Sequence, residues 1–109
     1  MSSTLAWFLL ALSGLIDVAW AIAIKNADGF RNPLWAGISI VLLIAFVALL
    51  TRALAVLPLG AAYGVWVGIG ALGSVIAGTI FFGEPLSAAR FGFAALIVAG
   101  VVGLRTTAA

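Results

Sequence analysis

Four long runs of apolar residues, separated by short polar stretches, take up most of the chain. The first runs from about Thr4 to Ile24 and stops at Lys25, where Asn26, Ala27, Asp28 and Gly29 read as a turn. The second runs from about Pro33 to Thr51 and is closed by Arg52. The third covers Leu59 to Phe82, and the fourth covers Leu86 to Leu104 and is closed by Arg105. A helix of roughly twenty residues crosses a hydrocarbon layer about 30 Å thick. The pattern therefore predicts an all-α membrane protein. It forms a single four-helix transmembrane domain over residues 1–109, with spans at about 4–24, 33–51, 59–82 and 86–104.

Local signals support these boundaries. Pro33, Pro58 and Pro85 each sit at or just before the start of a run. Proline is tolerated there because the first helical N–H groups have no partner within the helix. The connections are only a few residues long, which predicts antiparallel packing of consecutive helices. The first run has no basic segment ahead of it, and its small-residue triplet Ala19-Trp20-Ala21 follows an acid. It reads as a span and not as a cleaved leader.

Composition narrows the function classes. The chain is 66% hydrophobic and 7% charged, against about 25% charged in soluble domains. It has no cysteine, no histidine and three acids. That excludes thiol chemistry and argues against a transition-metal site, so neither metal nor cofactor is expected. The five basic residues are scattered singly, which gives no nucleic-acid surface. They also barely set an orientation. Arg52 and Arg105 mark one side of the membrane; Lys25, Arg31 and Arg90 mark the other. A two-to-three split is nearly neutral under the positive-inside rule. It is compatible with one weak orientation, or with insertion both ways round and pairing with an inverted copy.

Helices in lipid associate through small residues. In the fourth run Gly92, Ala95, Ala99 and Gly103 share one helical face and suggest a dimer seam. In the third, Gly60, Gly64 and Gly68 recur every fourth residue and permit a close neighbour. Gly68 and Gly70 together suggest a helix hinge.

Asp17 is the one charge deep inside the first run. A carboxylate at the centre of a membrane helix costs about 2.5–3.5 kcal/mol on insertion scales. Intramembrane acids accordingly mark proton and ion pathways. Ser13, Gly14, Trp20 and Ala21 share its face of the helix. Lys25 lies two turns on, about 12 Å along the axis, too far to neutralise it. Desolvation favours the neutral form of a carboxylic acid, whereas a nearby cation favours the ionised form. A group placed between those influences can exchange a proton for a cation, and an indole face attracts the cation as well. Tyr63 and Trp66 project from one face of the third run, and the Tyr63 hydroxyl is a candidate partner for Asp17. Trp7 and Trp35, near run ends, fit an interfacial belt. Glu84 reads as a solvated loop residue.

These stretches resemble the small multidrug resistance transporters. The likeness rests on Asp17 to Lys25 with Asp28-Gly29-Phe30, on Leu57 to Trp66, on Gly68-Ile69-Gly70 and on Phe81 to Leu86. The stretch from Trp20 to Lys25 is similar to the guanidinium-exporter subtype. The resemblance implies an antiparallel dual-topology homodimer of four-helix chains in a bacterial plasma membrane, and not an enzyme. It places Asp17 where the family has its proton- and substrate-binding glutamate. Trp20, Tyr63 and Trp66 would line the site, and Gly14 stands where the subtype has a glycine facing it.

Two positions depart from the family pattern. Aspartate at Asp17 shortens the acid's reach by about 1 Å, a displacement that can cost a positioned group roughly a hundredfold. Phe46 stands where these transporters commonly carry a serine that hydrogen-bonds near the acid; its ring cannot replace that bond but would line the site as an apolar wall. The expectation is a proton-coupled exporter of guanidinium and related guanidinyl or quaternary ammonium cations, with Asp17 of both subunits shared between protons and substrate. The alternatives are a broad multidrug cation exporter, or one subunit of a heterodimer with a paralogous partner.

Overall fold

A computed structural model describes residues 1–108. It contains four helices among those residues: α1 (Ser3–Asn26), α2 (Pro33–Leu54), α3 (Leu59–Phe81) and α4 (Ala88–Thr107). All four are long and apolar enough to cross a membrane. The four helices fall on the four apolar runs, with shifts at their ends. α2 continues past Arg52 to Leu54. α4 starts at Ala88, two residues later than the apolar pattern suggests. The reason is its cap: the Ser87 hydroxyl accepts the Arg90 N–H at 3.2 Å. Ser2 and Asn32 cap α1 and α2 in the same manner. Each cap satisfies an N–H that helical bonding leaves free.

The short connections are also visible in the backbone. Asp28, Gly29 and Phe30 all have positive φ, and the turn closes when the Asn32 N–H bonds the Ala27 carbonyl at 3.1 Å. After α3, Gly83 takes φ 64° and lets the Glu84 N–H reach back to the Gly78 carbonyl at 3.1 Å.

The helices lie in a layer measuring 43 × 35 × 16 Å. α1 packs on both α2 and α3, and α3 packs on α4. α2 and α3 barely touch, although they are consecutive. The expectation that consecutive helices pack along their lengths therefore fails for this pair, because α1 lies between them. Their contact is limited to the region of the α2–α3 turn, where Ala53, Leu57, Ala62 and Val65 join Ala6 and Leu10 in one buried cluster, and to the Phe46 and Trp66 rings farther along.

Glycines on α3 explain this order. An added Cβ at Gly64 would stand 2.6 Å from Leu104 Cδ1, and one at Gly68 would collide with Val101. These two glycines receive α4. An added Cβ at Gly70 would stand 2.6 Å from Asp17 Oδ2, and one at Gly73 would collide with Val18. These two receive α1. At about 100° per residue, Gly68 and Gly70 point about 200° apart. α3 is thus bare on two opposite sides, with one neighbour on each. Both glycines are buried within a helix that runs unbroken from Leu59 to Phe81. In lipid, where apolar surface gives little reason to associate, such close backbone approach is what holds helices together.

α4 has no buried residue and rests on α3 alone. Gly92, Ala95, Ala99 and Gly103 are all exposed, and nothing lies within 4 Å of a Cβ built at Gly92 or Gly103.

Gly73→Ala is expected to cost about 1–3 kcal/mol, since the stiff Val18 side chain must move to admit a methyl. Gly60→Ala meets nothing within 4 Å and should leave stability unchanged or slightly raised. Thermal unfolding of the two variants in detergent, compared with the parent, checks both.

Candidate functional site

Asp17 lies in the middle third of α1, on the side that meets α3. Its carboxylate is seated against the backbone of Gly70, in the space where any other residue would carry a Cβ. The residue is partly exposed. No cation neutralises it within the chain: among the described residues the ion pairs are Arg31–Asp28 at 3.8 Å and Arg90–Glu84 at 3.0 Å. Lys25 lies over the Phe82 ring at 5.2 Å, and Arg105 over Trp7 at 4.7 Å. These two cations therefore hold the ends of the bundle. Glu84 is exposed, as expected of a solvated loop residue; it pairs with Arg90 and rests against Gly78.

An aromatic row is assembled from three helices. Trp20 meets Phe46 edge-on at 5.8 Å, Phe46 lies 5.8 Å from Trp66, and Trp66 stacks on Tyr63 at 5.5 Å with 21° between the planes. Four of the residues expected at the site, Trp20, Phe46, Tyr63 and Trp66, are thus in contact. Helical spacing sets Trp20 three residues beyond Asp17 on the same face. Gly14, buried one turn before Asp17, admits the Ile69 side chain and the Trp66 ring, whose Cδ1 would lie 3.7 Å from an added Cβ. Tyr63 is 47% exposed. It stacks on Trp66, and among the described residues no hydrogen bond joins its hydroxyl to Asp17 within one chain.

Ser13 adds what the apolar pattern did not predict. The sequence sets it on the Asp17 face but gives it no partner. In the structure its hydroxyl donates to the Phe46 carbonyl at 2.8 Å and accepts the Trp66 indole N–H at 3.1 Å. Gly70 likewise belongs at this site, since its missing side chain makes the seat for the carboxyl.

An acid without a cation, on a helix face that it shares with Trp20 at one end of the aromatic row, suits a small organic cation. Such a ligand gains from both the carboxylate and the ring faces. A second cleft of about 510 Å³ opens between α3 and α4. Its lining is apolar apart from Thr79 and Arg90, with no acid, so it offers a cation nothing comparable.

The family description "Small Multidrug Resistance protein" matches residues 5–97. The chain belongs to that family. As a small multidrug resistance protein it is a multi-pass membrane transporter. Its relatives include the guanidinium exporter of Citrobacter freundii, 43% identical over 101 residues that cover 93% of this chain and 96% of the relative. The guanidinium exporter of Yersinia pseudotuberculosis is 44% identical, with coverage of 93% and 97%. That of Salmonella typhimurium strain LT2 is 40% identical, with coverage of 95% and 99%. The likeness to the guanidinium-exporter subtype thus extends along nearly the whole small multidrug resistance chain.

Phe46 is buried between Trp20 and Trp66. Phe46→Ala should lose about 3–5 kcal/mol through the cavity it opens. Chemical unfolding in detergent reads the stability loss, and near-ultraviolet circular dichroism should report the disordered indoles.

Proposed function

We propose that this protein exports guanidinium and related small guanidinyl or quaternary ammonium cations across a bacterial inner membrane in exchange for protons. The observation that carries this reading is Asp17, a carboxyl inside an apolar helix with no cationic partner among the described residues and with Trp20 of the aromatic row on its own helix face. The names of the relatives supply the substrate class.

The working unit is a dimer of two chains in opposite orientations. The layer is 16 Å thick and leaves Asp17 partly exposed, so a second chain would close the site. The small face of α4 at Gly92, Ala95, Ala99 and Gly103 is open to a second copy. The near-even split of basic residues lets the chain insert either way. Two Asp17 carboxyls, one from each chain, then share one site. When both are protonated the site holds no cation. Arrival of guanidinium displaces protons, because its planar N–H fork donates to carboxylates in pairs. The occupied dimer then opens to the other side. A bend of α3 at Gly68 and Gly70 would carry its backbone away from the Asp17 carboxyl, which links opening to the state of the site.

A second reading is favoured by Phe46. With this ring between two indoles the wall is more apolar, which suits bulkier quaternary ammonium ions recognised by cation–π attraction alone. Proton release on adding guanidinium, compared with release on adding tetrapropylammonium, separates the two.

Asp17→Asn should abolish both cation-triggered proton release in detergent and proton-driven guanidinium uptake into liposomes. Uptake that persists in this variant refutes the assignment. Gly70→Ala should keep the fold yet weaken guanidinium binding about a hundredfold, as expected for a carboxyl displaced by about 1 Å. Titration calorimetry measures the loss.

A further inference from the structure

Hydroxyl groups inside these helices mostly bond back to their own helix. Ser39 donates to the Ala36 carbonyl, Thr51 to Val47, Thr79 to Val75, and Thr106 and Thr107 to Gly103. That is the ordinary fate of a serine or threonine in a helix. Ser13 departs from it. It is 0% exposed, and both of its bonds leave α1. The proton goes to the Phe46 carbonyl on α2, and an oxygen lone pair takes the Trp66 indole N–H from α3. One hydroxyl therefore joins three helices, one turn before Asp17.

The bond to Trp66 has a consequence for the ring. An indole N–H turned into the bundle needs an acceptor, and the Ser13 hydroxyl supplies it, which fixes which way the half-buried ring faces. Tyr63 stacks on that ring, and Phe46 lies on it at 32° between the planes. The orientation of the aromatic row thus depends on Ser13. If the hydroxyl is lost, the next side-chain acceptor along that face of α1 is Asp17 itself, one turn on. An indole N–H turned toward Asp17 competes with the cation for the carboxylate.

We propose that Ser13 is a positioning residue for the cation site: by holding the Trp66 indole N–H it keeps the ring flat against the site and off the Asp17 carboxyl, which favours planar cations that need the carboxylate. The proposal rests on the transport reading above. A planar guanidinium draws much of its affinity from hydrogen bonds to the acid, whereas a tetraalkylammonium ion has no N–H to donate. Loss of Ser13 is therefore felt chiefly by guanidinium.

The test compares Ser13→Ala with the parent in liposomes, using guanidinium and tetrapropylammonium, and follows the tryptophan indole N–H signals by nuclear magnetic resonance. Ser13→Ala is expected to raise the KM for guanidinium about tenfold, the equivalent of one hydrogen bond. The KM for tetrapropylammonium and the maximal rate should change little. The Trp66 indole signal should shift and exchange faster with solvent, with Trp66→Phe identifying that signal. Ser13→Cys fills nearly the same space with a weak donor and acceptor. It should give an intermediate KM, and it keeps the test decisive if Ser13→Ala does not fold. An unchanged guanidinium KM with an unchanged Trp66 signal overturns the proposal. So does an equal loss for both cations, which would make Ser13 only a packing residue. A parent protein that moves neither cation defeats the transport reading instead, and the Trp66 signal then still decides whether Ser13 holds the ring.

Discussion

The contact between the Asp17 carboxyl and the bare backbone of Gly70 sets how α1 and α3 meet. An acid in lipid is costly unless it finds polar contact or a cavity. Here the room comes from α3, where two missing side chains let α1 approach, one under Asp17 and the other under Val18. The same closeness brings Gly14 against Ile69 and Trp66. The acid, the glycines and the indole therefore form one packing arrangement in which each position limits the others. A methyl at Gly70 would act on the carboxyl, and a methyl at Gly14 would act on Ile69, the neighbour of Gly70 in the chain.

The flatness of the chain follows from α3. Glycines on opposite sides of this helix receive α1 and α4, and α1 receives α2 on its far side. The result is a layer with much of its apolar surface outside, including residues such as Phe8, Leu15, Ile44, Ile80 and Phe93. In water that surface would collapse or aggregate; in a bilayer it is ordinary. The two cations over aromatic rings lie at the ends of the layer, Arg105 on Trp7 and Lys25 on Phe82, where a long basic side chain can keep its charge near water.

Polar groups in the interior are few, so each has large effects. Ser13 is an example. A hydroxyl that bonds its own helix does nothing for its neighbours, whereas one that bonds two other helices fixes how all three sit. Phe46 enters this junction twice, through its carbonyl to Ser13 and through its ring to Trp20 and Trp66. A phenyl ring at this position therefore does not leave the junction without a hydroxyl. Ser13 on α1 supplies it, and the aromatic surface is larger as a result.

The sequence alone determined the four long apolar helices and the singular position of Asp17 within the first. These depend on local composition and on the cost of charge in lipid, which act residue by residue. Helical spacing also set Gly14 and Trp20 beside the acid, and paired Tyr63 with Trp66 on α3. The neighbours across helices lay beyond its reach. The apolar pattern is nearly the same on every face of a lipid-exposed helix, so it does not say which face meets which helix. For that reason α1, and not α3, proved to be the long partner of α2, and Gly68 and Gly70 proved to face different helices. Ser13 could be set on the Asp17 face by counting, but its two partners lie 33 and 53 residues away. Only the tertiary structure, which fixes distances between residues far apart in the chain, could bring those three groups to one point.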